Sequence, residues 1–100
     1  MQKKPNFRVE LYFDPEADNL DEVCSATDEI FSSYKMPCIE RGRNSRVYTD
    51  NGEARDCGKL IAALSKIKRN PELLKHVSDG IFDWGDKRET LMTNFFKRGL

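Results

Sequence analysis

The chain has 100 residues, 38% hydrophobic and 34% charged, with 17 basic and 17 acidic side chains and a formal net charge of zero. That length suits one domain, residues 1–100, which buries about two-thirds of its unfolded surface and closes a modest core without metal or disulfide. No apolar run approaches the roughly 20 residues of a bilayer span, and "MQKKPNF" has no apolar segment behind its two lysines, so neither a signal peptide nor a membrane partner is expected and the expected compartment is cytoplasmic.

Residues 1–6 read as a flexible lead. In "FRVELYF", Phe7, Val9, Leu11 and Phe13 alternate with Arg8, Glu10 and Tyr12, the period of a half-buried strand. "DPEADN" is a loop. Asn19 with Glu22 offers a variant capping box, and Leu20, Val23, Cys24, Thr27, Ile30, Phe31 and Tyr34 recur at helical spacing. Pro37 predicts that this helix stops near Lys35. "CIERGRNSRVYTD" predicts two short strands around a turn at Gly42–Asn44, residues that tolerate positive φ. After the loop "NGEARD", Asp56 is the expected cap of a helix whose apolar stripe is Cys57, Leu60, Ile61, Leu64 and Ile67.

Asn70-Pro71-Glu72 predicts a fresh helix start, with Leu73, Leu74 and Val77 buried and Asp79-Gly80 as its end. Ile81–Trp84 reads as a last strand or an ordered connector. Asp86 with Glu89 predicts the cap of a C-terminal helix over 86–100, bearing Leu91, Met92, Phe95 and Phe96 and closed by Gly99. This order predicts an α+β fold of the ferredoxin-like, split β-α-β kind: a two-layer sandwich with an extra C-terminal helix. Its first and third strands would lie side by side in the middle of the sheet. Such a fold hosts many functions and by itself licenses none.

Function must therefore come from surfaces. Residues 1–40 carry four bases against nine acids, net −5, whereas residues 41–69 carry eight bases against three acids, net +5. That polarity concerns partners. If Val47 and Thr49 point inward, Arg46 and Tyr48 join Arg8 and Tyr12 on the open sheet face. Arg41 and Arg43 then stand at the hairpin tip. Two aromatics flanked by arginines could stack single-stranded bases, yet "NSRVYTD" lacks the glycine-and-aromatic signature of that use. Glu10 and Glu40 would also bring negative charge to the face. Tyrosine and arginine equally favour protein interfaces. Lys59, Lys66, Lys68 and Arg69 form a secondary basic patch.

Chemistry is thin. Cys24, Cys38, Cys57 and His76 are separated by 14, 19 and 19 positions, unlike the close pairs of structural zinc sites, so no metal is expected. An odd number of widely spaced cysteines argues against a disulfide framework. No residue pattern provides a base and nucleophile, so neither a catalytic residue nor a cofactor is expected. The expectation is a small non-enzymatic protein that binds another protein, of adaptor, inhibitor or immunity type. The alternative is a single-stranded RNA or DNA binder using the sheet face, and a cysteine-dependent enzyme ranks third. A homodimer would follow if the C-terminal helix packed on another subunit.

Overall fold

The computed structural model describes residues 7–53, 55–84, 87–92 and 96. The expected flexible lead, 1–6, lies outside them. Elements run in the order β1 (Phe7–Phe13), α1 (Leu20–Ser33), β2 (Cys38–Arg41), β3 (Ser45–Thr49), α2 (Asp56–Lys68), α3 (Pro71–Leu74), β4 (Val77–Trp84) and β5 (Lys87–Thr90). The fold is α+β, with a five-stranded antiparallel sheet in the order β2-β3-β1-β4-β5. β1 lies at the centre, paired on one side with β3 and on the other with β4.

Alternation along β1 sends Val9, Leu11 and Phe13 into a single core, each fully buried. They meet Leu20, Val23 and Phe31 of α1, Leu60, Leu64 and Ile67 of α2, and Phe82 of β4. The helices therefore cover one face of the sheet, and the even-numbered β1 residues lie on the other. α1 ends where expected: Lys35 takes φ 62°, a left-handed turn that redirects the chain two residues before Pro37.

Several expectations need correction. The segment over 86–100 does not begin as a helix. Lys87–Thr90 forms strand β5, pairing Trp84 with Lys87 and Ile81 with Thr90. Leu91 and Phe96 join this chain's own core. Asp86, Phe95 and Gly99 lie outside the described residues. The helix opened by Asn70 is a single turn, because Val77, Gly80 and Phe82 alternate inward as the start of a long strand against β1. Its cap is as expected: the Asn70 side chain accepts from the backbone N–H groups of Glu72 and Leu73.

Two other caps differ. Asn19 occupies the N-cap position of α1, but its side chain makes no capping bond. Asp56 is the first residue of α2, and its carboxylate turns back to accept the N–H groups of Asn51 and Glu53 in the preceding loop. The β2–β3 hairpin forms as predicted, without positive φ at Asn44. Instead the Asn44 amide donates to the Phe13 carbonyl at 2.8 Å and ties the turn to β1.

The inward face of β3 is the largest correction. Val9 pairs with Tyr48 and Leu11 with Arg46. Cross-strand partners share a face, so Arg46 and Tyr48 point toward the helices. Ser45, Val47 and Thr49 lie on the outer face beside Tyr12, Glu10 and Arg8.

Candidate functional site

The residues singled out in "RGRNSRVY" do not form one surface. Tyr48 is buried, its ring stacked on Phe31 of α1 at 3.8 Å and 4°. Its hydroxyl donates to Asp28 Oδ1 at 2.5 Å. Burial first, then the Asp28 hydrogen bond and charge, pushes the phenol far above its ordinary pKa. Arg46 donates Nε to the same carboxylate at 3.2 Å and uses Nη1 to bind the Gly42 and Ser45 carbonyls. Arg41 completes the cluster, Nη1 to Asp28 Oδ2 at 2.7 Å.

Asp28 therefore gathers three donors from the hairpin onto one carboxylate of α1. Arg46 is mostly enclosed, whereas Arg41 keeps more than half of its side chain in solvent. Arg43 is exposed at the tip, beside a depression lined by Asp18, Asn19, Asp21 and Glu22 at the start of α1.

Arg8 and Tyr12 remain on the outer sheet face, as the alternation of β1 predicts. A chain of ion pairs crosses that face. Glu40 of β2 meets Arg8 at 3.3 Å, Arg8 meets Glu10 at 3.3 Å, Glu10 meets Arg88 of β5 at 3.6 Å, and Arg88 meets Asp83 of β4 at 3.2 Å. The Tyr12 hydroxyl donates to Glu10 Oε1 at 2.8 Å, and this bond leads the causes that raise its pKa.

Glu10 is buried beneath these partners, only 8% exposed, and its charge is met by two guanidinium groups and a phenol. Asp79, paired with Tyr12 across β1–β4, adds a further carboxylate on the same side. Among the described residues the sheet's outer face holds Arg8 and Arg88 against Glu10, Glu40, Asp79 and Asp83, a net of −2.

The secondary basic patch divides. Lys59 lies 3.8 Å from Asp56, and Lys66 sits 5.4 Å over the Tyr34 ring. Lys68 and Arg69 are exposed at the C-terminal end of α2. On the flank of α2 opposite Lys59 and Lys66, Cys57, Ile61 and Leu64 line a pocket of about 260 Å³ bounded by Phe82, Trp84, Glu89 and Leu91.

The three cysteines are free thiols, with Cys24 raised in pKa by burial. No cluster of three or more metal-ligating side chains occurs among the described residues. Asp28, Arg88, Asp83 and the Trp84–Glu89 pocket were not anticipated from the sequence. The signal for the last three was present in the sequence: the dipeptide Gly-Asp between Trp84 and Lys87 is of the type that joins two strands of a hairpin. Asp28 gave none, since one more acid on a helix resembles any solvated charge. No protein family, curated protein or solved structure matches the chain.

Proposed function

We propose that this is a small non-enzymatic cytoplasmic protein that binds a protein partner through the outer face of its sheet. The observation that carries this reading is the alternating chain Glu40–Arg8–Glu10–Arg88–Asp83, already fixed in geometry before any partner arrives. Preorganised charges of both signs favour register and orientation at a protein interface, and they reduce the ordering cost of association. The net charge of −2 repels phosphates, which disfavours RNA or DNA. It also disfavours pairing two copies of this face. A partner presenting a predominantly basic surface fits.

The proposal includes the fold as a ferredoxin-like split β-α-β sandwich, with β5 as an added edge strand; the order β2-β3-β1-β4 supports it. Arg8 and Tyr12 act as contact residues on the face, and Arg41 and Arg43 at the adjoining hairpin tip. Arg46 and Tyr48 contribute by holding the hairpin to α1, and Lys59, Lys66, Lys68 and Arg69 belong to a separate surface. An adaptor or inhibitor role needs no more than such a face.

The test is affinity capture from the source cell with the tagged protein, with and without nuclease, beside a Glu40→Lys/Asp79→Lys variant. Both positions are exposed, so the variant should fold. The expected result is a protein retained after nuclease by the wild type and lost from the variant. Retention that depends on nucleic acid, or that survives the charge reversal unchanged, would reject the proposal.

A further inference from the structure

The pocket between α2 and the β4–β5 hairpin opens on the helix side, away from the sheet face proposed to bind protein. Its volume, about 260 Å³, falls just under the roughly 300–1,000 Å³ of sites that hold drug-sized ligands. Cys57, Ile61, Leu64, Phe82 and Trp84 supply apolar walls, and Glu89 is the one charged residue lining it.

The position of Glu89 is unusual. It pairs with Phe82 across β4–β5, which puts the carboxylate on the apolar, helix-covered side of the sheet. Arg88, its neighbour in sequence, points to the other side and is committed to Asp83 and Glu10. No ion pair within 4 Å reaches Glu89 from the described residues. Spacing of four and seven residues places Cys57, Ile61 and Leu64 on one flank of the helix, and Lys59 and Lys66 lie on the opposite flank, Lys66 over Tyr34. Lys68 follows Leu64 by four residues on the pocket's flank, one turn beyond the lining residues, and is exposed. Lys87, opposite Trp84 and two residues from Glu89 on the same side of β5, is also exposed and makes no ion pair with Glu89 within 4 Å. A carboxylate with no ion-pair partner among the described residues, beside an indole and an aliphatic wall, favours positive charge on an apolar body.

We propose that this pocket binds a small organic ammonium ion, with its hydrocarbon body against Ile61, Leu64 and Trp84 and its cation between the Glu89 carboxylate and the indole. Apolar burial supplies the affinity, and Glu89 supplies the preference for charge. Binding is non-covalent, so Cys57 contributes surface only.

Trp84 is the single tryptophan of the chain, so its emission reports on the pocket directly. The full-length protein is titrated near neutral pH with cyclohexylmethylammonium, the uncharged cyclohexylmethanol and the anionic cyclohexylacetate. The ammonium is expected to change Trp84 emission saturably and to bind about threefold to tenfold more tightly than the alcohol, as one cation–π contact and one exposed ion pair would give. Cyclohexylacetate is expected to bind most weakly. Glu89→Gln, an exposed edge-strand change that should not unfold the chain, is expected to level the ammonium and the alcohol. Ile61→Lys, also at an exposed site, is expected to weaken the ammonium. The proposal is overturned by no saturable change, by equal affinity for the three probes, or by preference for the acid. A preference that persists in Glu89→Gln, or an Ile61→Lys affinity equal to wild type, overturns it as well.

Discussion

Asp28 joins three side chains of the hairpin to α1. Its carboxylate accepts from Tyr48 and Arg46 and pairs with Arg41, so it pins the hairpin of β2 and β3 to α1. Tyr48→Phe keeps the ring stacked on Phe31 and deletes only the hydroxyl bond. Because two arginines still satisfy Asp28, the cost should be about 1–2 kcal/mol, read from urea unfolding. Tyr48→Ala removes the buried ring and should cost about 3–5 kcal/mol. Equal stability of Tyr48→Phe and wild type would mean that Asp28 contributes nothing through this bond.

Asp56 makes a second residue-scale prediction. Burial opposes its charge, but the N–H groups of Asn51 and Glu53, with Lys59 and Arg55, outweigh that and hold its pKa below the ordinary 3.8. A folded-state pKa below the unfolded one stabilises the fold above pH 3.8, and that contribution is lost as the pH falls through the folded value. Asp56→Ala should therefore be less stable than wild type at neutral pH, and the gap in thermal midpoint should narrow as acid is added. A gap that stays constant down to pH 2 would contradict the assignment.

At the scale of elements, β4 decides how the chain closes. Gly80 has no side chain because Leu11 and Leu91 approach: a Cβ there would meet Leu91 Cδ1 at 3.1 Å and Leu11 Cδ2 at 3.3 Å. Gly80→Ala should cost about 1–3 kcal/mol by overpacking, measured by chemical denaturation. Leu91→Ala should cost about 2–5 kcal/mol. A neutral result at both positions would mean that the segment after β5 does not close the core.

The same elements mark what the sequence could and could not reveal. β1, α1, α2 and the hairpin were legible because apolar period and turn residues agreed. The face of β3 was misread because Arg46 looked like a surface residue and Val47 like a core one. The register against β1 turns Arg46 to the helix side and Val47 to the outer face, where Val47 is nonetheless buried, because a one-residue slip moves every side chain to the other face. Arg46 tolerates the inward side because its guanidinium reaches Asp28. The expected C-terminal helix rested on Leu91, Met92, Phe95 and Phe96 at helical spacing. Pairing of Lys87–Thr90 with β4 replaces the expected first turn of that helix through tertiary contact, which spacing alone cannot register.

For the whole molecule, the charge asymmetry of the sequence becomes a division of surfaces. The sheet's outer face carries a net of −2 in a fixed ion chain, and the hairpin's arginines are partly spent on Asp28. The base-stacking alternative needed two exposed tyrosines, and Tyr48 is in the core. Tyr12 alone remains, bonded to Glu10. The protein recognition proposed for the sheet face rests on what is left: charges of both signs, a fixed array and one amphipathic aromatic. The most direct measurement is carbodiimide footprinting of carboxylates, with mass-spectrometric readout, on the protein alone and with its captured partner. Protection is expected at Glu40, Asp79 and Asp83, with Glu53 and Glu72, away from that face, labelled as before. Protection at Asp18, Asp21 and Glu22 instead, with the sheet carboxylates still labelled, would contradict it.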